Sequence, residues 1–400
     1  MNLLYFSNER FPDSSACTIQ QMFMCEAFAK TGFDVTLIRP FYFDRPDKDI
    51  YSFYGVEPVF RMMTLPTLLS LSKPARDESL FGKLKIPFIG GLTMLAATDF
   101  FILSRLLRGR LRQPTVVYSR NVNAAVVFIN RKKVLLRRSP ITIYFEAHSL
   151  SQQPESFFRK ALMQSDGLVS ITHALKNELQ KRYGLDDQKI IVCPDGVQDA
   201  RLAQPPLSRP KARAVLHLDE DDKKLICYTG QLLPGKGAEV LLQAAHYFDE
   251  NVLFYIVGGT PKQIDPLRRF ASANVRFVGF VEPHRVPLYQ SAADVLVLPN
   301  TPHGDISSYT SPLKLFEYMA AARPIVASDQ PVLMEILRDG ENAVLFRSGD
   351  PSSLADGIRK VLADERLAAR MTTQARKQVE GYSWLNRARR IDEFMRDVRR

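Results

Sequence analysis

The chain has little cysteine. Its four residues, Cys17, Cys25, Cys193 and Cys227, are spread over 400 positions at spacings that match no zinc or iron–sulfur pattern. That excludes a disulfide-stapled secreted domain and a thiolate metal centre, and it fits the reduced thiols of a cytosolic protein. No G-x-G-x-x-G follows a strand-like run, which argues against a nicotinamide or flavin enzyme. The opening MNLLYFSNERFP has no basic leader and no long apolar core, so no signal peptide is expected. Internal repeats, low-complexity tracts and nucleic-acid-binding motifs are also missing. One apolar run, residues 86–107, has the length of a membrane span, but Asp99 and Arg105 interrupt it and Gly90 and Gly91 pair within it. A buried or membrane-surface helix is expected there rather than a span.

Acidic residues are scarce in one region. Between 61 and 140 there are fifteen Lys or Arg against Asp77, Glu78 and Asp99, a local charge of +12 in a chain whose total is +11. Such an excess fits an anionic surface or substrate, or a solvated basic face. Arg108, Arg110 and Arg112, and then Arg131, Lys132 and Lys133, flank or follow the apolar run. Together these features point to peripheral binding of the first domain to an anionic membrane surface.

What is present is a regular alternation. Strand-like runs NLLYFS, DVTLIRP, TVVYS, ITIYFEAHS, GLVSIT and KIIVCPDGV are separated by helical patterns, and the pattern restarts with KLICYTG, LFYIVGG, VRFVGF, DVLVLP and PIVAS. This predicts α/β architecture with parallel sheets and helical crossovers. Four hundred residues suit two domains. The Pro- and Arg-containing stretch 200–213 reads as the linker, giving domains of 1–203 and 204–384. The C-terminal amphipathic helix, 385–400, follows the single tryptophan, Trp384; it either packs back on the first domain or caps the second.

Four segments carry candidate chemistry. ICYTGQLLPGKGAEVLLQAA is a strand, a glycine-rich turn and a helix, in which Gly230, Gly235 and Gly237 let the backbone approach a phosphate and Lys236 adds a point charge. It falls short of a P-loop because Gly237 stands where a Mg²⁺-binding hydroxyl is needed, which weakens a nucleotidase reading. LFYIVGGT places Gly258 and Gly259 at a strand end. SSYTSPLKLFEYMAAARPIVASD predicts a helix from Pro312, with Ser311 as N-cap, that stops before Pro324. Lys314 then stands in the first turn, where a cation typically costs roughly 0.3–1 kcal/mol, unless an anion is held there. Glu317, three residues on, shares its face; the two side chains either pair in solvent or serve a ligand, Glu317 accepting from a diol. In the first half, ITIYFEAHSL ends in Glu146 and His148, with His148 expected at the ligand-bearing edge.

These pieces, in this order, resemble the retaining glycosyltransferases of family 4, and the resemblance covers nearly the whole chain. It is carried by KIIVCPDGV, GQLLPGKG, LFYIVGG, NVRFVGFVEPHRVPLYQSAADVLVLP and SPLKLFEYMAAARPIVASD; the opening SNERFPDSSACTIQQMFMCEAFAKTGFDVTLIRP is similar to the family's first strand, loop and helix. The resemblance implies the GT-B fold, two Rossmann-like doubly wound domains facing a cleft. It also implies transfer of a sugar from a nucleotide diphosphate sugar to an acceptor hydroxyl with retention, in polysaccharide or glycolipid biosynthesis. The alternative is a non-catalytic sugar-nucleotide-binding or scaffold protein. The implied partners are the donor, a sugar, lipid-linked or small-molecule acceptor, and the membrane surface; no metal, other cofactor or nucleic acid is implied. A cytoplasmic protein, peripheral on the inner face of the cell membrane, is expected. By resemblance Lys236 contacts the diphosphate, Glu317 is the second glutamate of the family's Glu-x7-Glu motif and holds the ribose, and His148 lies near the transferred sugar. The implied donor-binding set is Gly230, Gln231, Lys236, Gly258, Thr310, Ser311, Leu313, Lys314 and Glu317. The chain departs from the pattern at Tyr309, where the first motif glutamate is expected, at Gln231, in place of an arginine, and at Ser14, Ser15 and Ala16, in place of glycines. Lys314 is expected to restore the charge lost at Gln231.

Overall fold

Strands apolar on both faces must lie in sheets covered on both sides. The computed structural model of the chain, which describes all residues except 14, 42–48, 67–88, 108, 110–111, 137–138, 151, 153, 219–221 and 399–400, has two such sheets. The first contains β1 Asn2–Phe6, β2 Asp34–Pro40, β3 Arg61–Leu65, β4 Thr115–Ser119, β5 Ile141–Ala147, β6 Gly167–Ser170 and β7 Ile190–Val192, in the order β3-β2-β1-β4-β5-β6-β7. The second contains β8 Lys224–Thr229, β9 Val252–Val257, β10 Val275–Gly279, β11 Val295–Leu298, β12 Ile325–Ser328 and β13 Val344–Phe346, in the order β10-β9-β8-β11-β12-β13. All named strand pairs are parallel. Strand order reverses between β1 and β4 and again between β8 and β11, the switch points outside whose carboxyl ends doubly wound sheets bind ligands. Two of these strands, β3 (RMMTL) and β13 (VLF), are not among the strand-like runs of the sequence analysis; both lie at sheet edges, where one is half polar and the other very short.

The chain forms two compact units. One comprises Met1–Ile171, Leu175–Cys193 and Arg387–Arg400; the other comprises Thr172–Ala174 and Pro194–Asn386. The division after Cys193 corrects the boundary expected at 203. Residues 194–203 are tied to the second unit because Val197 N–H donates to the Tyr382 carbonyl at 2.9 Å and Arg376 donates to the carbonyls of Arg201 and Leu202 at 3.0 and 2.8 Å. The expected linker is also more ordered than its prolines suggest. Helix Arg209–Val215 carries Pro210 in its first turn, where a missing N–H costs nothing, and buries Arg213 against Asp294 at 2.7 Å. The C-terminal helix is Trp384–Asp397; in the first unit Tyr144 donates its hydroxyl to the Met395 carbonyl at 3.0 Å.

Candidate functional site

In the second unit β8 runs directly into the glycine-rich turn. Gly230 has φ +133° and its N–H donates to the Val257 carbonyl at 2.8 Å, joining the turn to the end of β9. Gly258, φ +116°, packs so closely that a Cβ there would lie 2.2 Å from the Gly230 carbonyl oxygen. Gly237, φ +74°, is the N-cap of helix Ala238–Ala245, and a Cβ there would lie 1.6 Å from the Pro299 carbonyl oxygen. Those two contacts require glycine, so the turn lies close against the ends of β9 and β11. Gln231 is half-buried and its carbonyl accepts from the Tyr228 hydroxyl at 2.8 Å. Lys236, half-buried, makes no side-chain hydrogen bond or ion pair with the described residues, and desolvation lowers its pKa from the usual lysine range.

Lys314 is the unusual cation. It is 9% exposed, its Nζ lies 3.9 Å from the centroid of the Tyr228 ring, and it has no hydrogen-bond partner among the described residues. A Cβ on Gly230 would stand 3.5 Å from that nitrogen, so the ammonium reaches the glycine-rich turn. Burial, first, and the charge of Lys236, second, hold its pKa well below the usual lysine range, while Glu317 acts against them. A buried, unpaired ammonium is costly to keep, and that cost needs a reason.

The helix that bears Lys314 is Leu313–Ala320, one residue shorter at its start than expected. Pro312 holds ψ 120° and occupies the cap position, so Ser311 does not cap it; the Ser311 hydroxyl instead accepts the Asp195 N–H at 3.0 Å. Thr310 and Leu313 are half-buried on either side of that turn. A shorter helix, Gly304–Tyr309, precedes it, and the Tyr309 carbonyl accepts from the Thr172 hydroxyl at 3.2 Å. Glu317 does not pair with Lys314. Its Oε2 accepts from Gln290 Nε2 at 3.0 Å, Gln290 Oε1 accepts from Arg201 Nη2 at 2.6 Å, and Arg201 also reaches the Glu317 carbonyl at 3.3 Å. Gln290 is fully buried, so this orientation of the carboxylate is built in.

In the first unit His148 follows the last residue of β5. Its side chain is 16% exposed and its Nε2 meets the carboxylate of the fully buried Glu146. Glu146 also accepts from Gln20 Nε2 at 2.7 Å and from the Tyr118 hydroxyl, and it pairs with Arg387 at 3.2 Å. Burial alone would raise the pKa of Glu146, but Arg387, His148 and Arg120 together hold it well below the usual carboxylate range. Burial and Arg120 outweigh Glu146 at His148 and push the imidazole down to about 4, so it is neutral at pH 7.

The family models divide the chain between them. Residues 22–201 match the Glycosyltransferase Family 4 model and residues 208–378 match the Glycosyl transferases group 1 model. The chain belongs to the group 1, family 4 glycosyltransferases. Among its relatives, a D-inositol 3-phosphate glycosyltransferase of Xylanimonas cellulosilytica is 30% identical over 231 residues, 55% of this chain and 54% of that one. A phosphatidyl-myo-inositol mannosyltransferase of Mycobacterium leprae is 32% identical over 155 residues, 38% of this chain and 40% of that one. The chain spans about half the length of the first curated relatives it matches. Solved structures align over nearly the full length. HepE of Anabaena, crystallised with UDP and glucose, has a TM-score of 0.70 at 15% identity and covers 98% of both chains. A sucrose-phosphate synthase of Thermosynechococcus elongatus has a TM-score of 0.74 at 19% identity and covers 99% of this chain and 98% of that one. At these identities the likeness is one of fold, and the fold is GT-B.

In this family 4 chain, several site-building residues have no signal in the sequence. Tyr228, Gln290 and Arg201 in the second unit, and Gln20, Tyr118 and Arg387 in the first, reach the candidate residues only through the tertiary fold. Glu146 and His148 were legible as a pair two residues apart on one strand end, and that spacing places them on one face. Among the described residues, no group of three His, Cys, Asp or Glu side chains is placed to hold a metal ion.

The basic, apolar region of the first unit is partly neutralised within the fold. Helix Ile89–Leu107 buries Ala97, Thr98, Phe101 and Ile102 and leaves Phe100 and Leu103 exposed. Among the described residues, no helix is long and apolar enough to cross a membrane. The next helix, Val122–Val134, ends with Val134 and Leu135 exposed beside Lys133. Arg131 pairs with Asp99 and Lys132 with Asp166, so two of the three cations at 131–133 are already countered. Arg112 is exposed, whereas Arg108 and Arg110, the start of the apolar run at 86–88, and Ser14 of the first loop lie outside the described residues.

Proposed function

We propose that the chain transfers a sugar from a nucleoside diphosphate sugar to an acceptor hydroxyl, with retention of anomeric configuration and without a required metal. The observation that carries this reading is the buried, unpaired ammonium of Lys314 beside the glycine-rich turn that also bears Lys236. A diphosphate supplies the anion that such an arrangement lacks. As the glycosidic bond breaks, negative charge gathers on the leaving diphosphate. Lys236, Lys314 and the N-terminal end of helix Leu313–Ala320 stabilise that charge. Glu317, held by Gln290, keeps Oε1 for the ribose diol. His148, a neutral imidazole, serves the hydroxyls of the transferred sugar. Glu146 is fully buried and committed to Arg387, so it is no nucleophile; the acceptor hydroxyl attacks from the face of the departing phosphate, which takes its proton.

The UDP and glucose bound in HepE put UDP-sugars first among candidate donors. The acceptor is a lipid-linked or small-molecule hydroxyl of a polysaccharide or glycolipid route at the inner face of the cytoplasmic membrane. That placement is supported by the exposed Phe100 and Leu103 on one helix and by the exposed Val134 and Leu135, which follow Lys133 at the end of the next. Thermal-shift measurements with nucleoside diphosphates and their sugars test the donor site, since a ligand at 100 times its Kd stabilises by about 2.7 kcal/mol. No stabilisation by any nucleoside diphosphate removes the donor assignment. A second reading, a sugar-nucleotide-binding protein without turnover, is favoured by Tyr309 in place of the first motif glutamate. Release of nucleoside diphosphate from a donor that binds decides between the two.

A further inference from the structure

Among the described residues, every partner that reaches the Glu146 carboxylate is a donor. Gln20 Nε2 and the Tyr118 hydroxyl donate to it, and Arg387 brings Nη1 to 3.3 Å of Oε2 and Nη2 to 3.2 Å of Oε1. An ionised carboxylate has no proton to give, so the His148 nitrogen that meets it must be the N–H of the ring. In a neutral imidazole the other nitrogen then carries the lone pair. The Glu146 site is therefore complete on its own side and leaves a single acceptor, Nδ1, facing away from it.

Arg387 connects this site to the path of the chain. Besides its pairing with Glu146, its Nε donates to the Cys193 carbonyl at 3.2 Å. Cys193 is the last residue of the first unit before the long second-unit segment Pro194–Asn386, and Arg387 is the first residue after that segment. One guanidinium, only 3% exposed, thus joins the end of segment Leu175–Cys193 to the carboxylate that holds His148. Among the described residues, the other charged and titratable groups around this carboxylate include Arg120, which donates to Gln20 Oε1 at 2.7 Å, the buried phenols Tyr5 and Tyr118, and the buried thiol of Cys193.

We propose that Glu146 and Arg387 are positioning residues for His148, fixing Nε2 as the N–H and presenting Nδ1 as the acceptor for a hydroxyl of the transferred sugar. This rests on the reading of His148 as part of the glycosyl-transfer site.

The test uses the full chain labelled with ¹⁵N-histidine, its six histidines separated by comparison with His148→Gln. The expected result for the wild type at pH 7 is a neutral His148 with the proton on Nε2. In Glu146→Gln, where the raising influence of the carboxylate is gone, His148 should titrate at lower pH. Nucleoside diphosphate release from the UDP-sugar that binds tightest should fall by about tenfold or more in Glu146→Gln and Arg387→Met, with donor KM little changed. Arg387→Lys should recover part of the loss. A wild-type His148 protonated on Nδ1 overturns the proposal, as does unchanged turnover in Glu146→Gln when His148→Ala is impaired. If His148→Ala turns over normally, the site reading falls instead, and the wild-type tautomer still decides whether Glu146 holds the ring as described.

Discussion

The ammonium of Lys314 lies 3.9 Å from the centroid of the Tyr228 ring and has no hydrogen-bond acceptor among the described residues. A cation placed this way weakens the free protein and gains its partner only when an anion binds. Lys314→Met, similar in shape and uncharged, should therefore unfold at higher urea than the wild type while binding UDP more weakly. The loss in affinity should be about 1.5–3 kcal/mol, the range for a hydrogen bond to a charged group. Urea titration and calorimetry measure the two effects. A variant that is less stable and binds UDP normally would show that Lys314 is only a packing residue.

The same burial has a pH signature. In the unfolded chain a lysine keeps its proton up to about pH 10.4, whereas folded Lys314 releases it well below that. Between those points the unfolded state binds more protons, so this group makes stability rise with pH from the folded pKa toward the unfolded one. Lys314→Met should lose that rise in melts taken from pH 7 to pH 10. Binding of a diphosphate should restore the charged form, and calorimetry of UDP binding in two buffers of different ionisation enthalpy should reveal proton uptake in the wild type and less in the variant.

Lys236 and Lys314 should act on one anion. Lys236→Ala and Lys314→Ala each weaken UDP, and the double variant should lose less or more than the sum, because residues sharing a partner couple by about 0.5–3 kcal/mol. Strict additivity across low and high salt places them on separate ligands.

Glu317→Ala should cost roughly 1–3 kcal/mol in donor affinity through loss of an acceptor in a largely buried contact. Gln290→Ala should weaken the donor less, because it only aims the carboxylate. Equal donor affinity in Glu317→Ala and the wild type takes Glu317 out of the site.

Arg387→Ala leaves the carboxylate of Glu146 buried without its guanidinium, a change expected to destabilise by about 3–5 kcal/mol. Adding Glu146→Gln should return part of that stability, since the uncompensated charge is gone. Denaturant melts of the two single variants and the double variant give the coupling directly.

Much of the fold was legible because both sheets are built from apolar runs bounded by glycine, proline and polar turns. The strands that escaped, β3 and β13, are edge strands, one interrupted by polar residues and the other only three residues long. The glycine-rich turn, Lys236 and Glu317 announced themselves by residue type and spacing. What stayed hidden was the company they keep. Charge counting around Arg131 and Lys132 overstated the basic face, because Asp99 and Asp166, 32 and 34 positions away, pair with them. Likewise, nothing in SPLKLFEY says that Lys314 rests on Tyr228, a residue 86 positions earlier on another element; helix periodicity places a side chain on a face but does not name its neighbour. Pro210 misled in the opposite direction, since a proline reads as a linker or as a helix start until the buried Arg213 is seen.

The first unit is not a continuous length of chain, and that limits how the protein can be taken apart. A fragment ending at Cys193 contains the whole seven-stranded sheet, yet it carries Glu146 in a fully buried setting with its guanidinium on a missing segment. Such a fragment should refold poorly alone and well when residues 387–400 are grafted onto it or supplied as a peptide. A C-terminal truncation that looks like trimming a surface helix would therefore reach the histidine at the far end of the sequence, and tags or fusions placed there act on the folding of the N-terminal half.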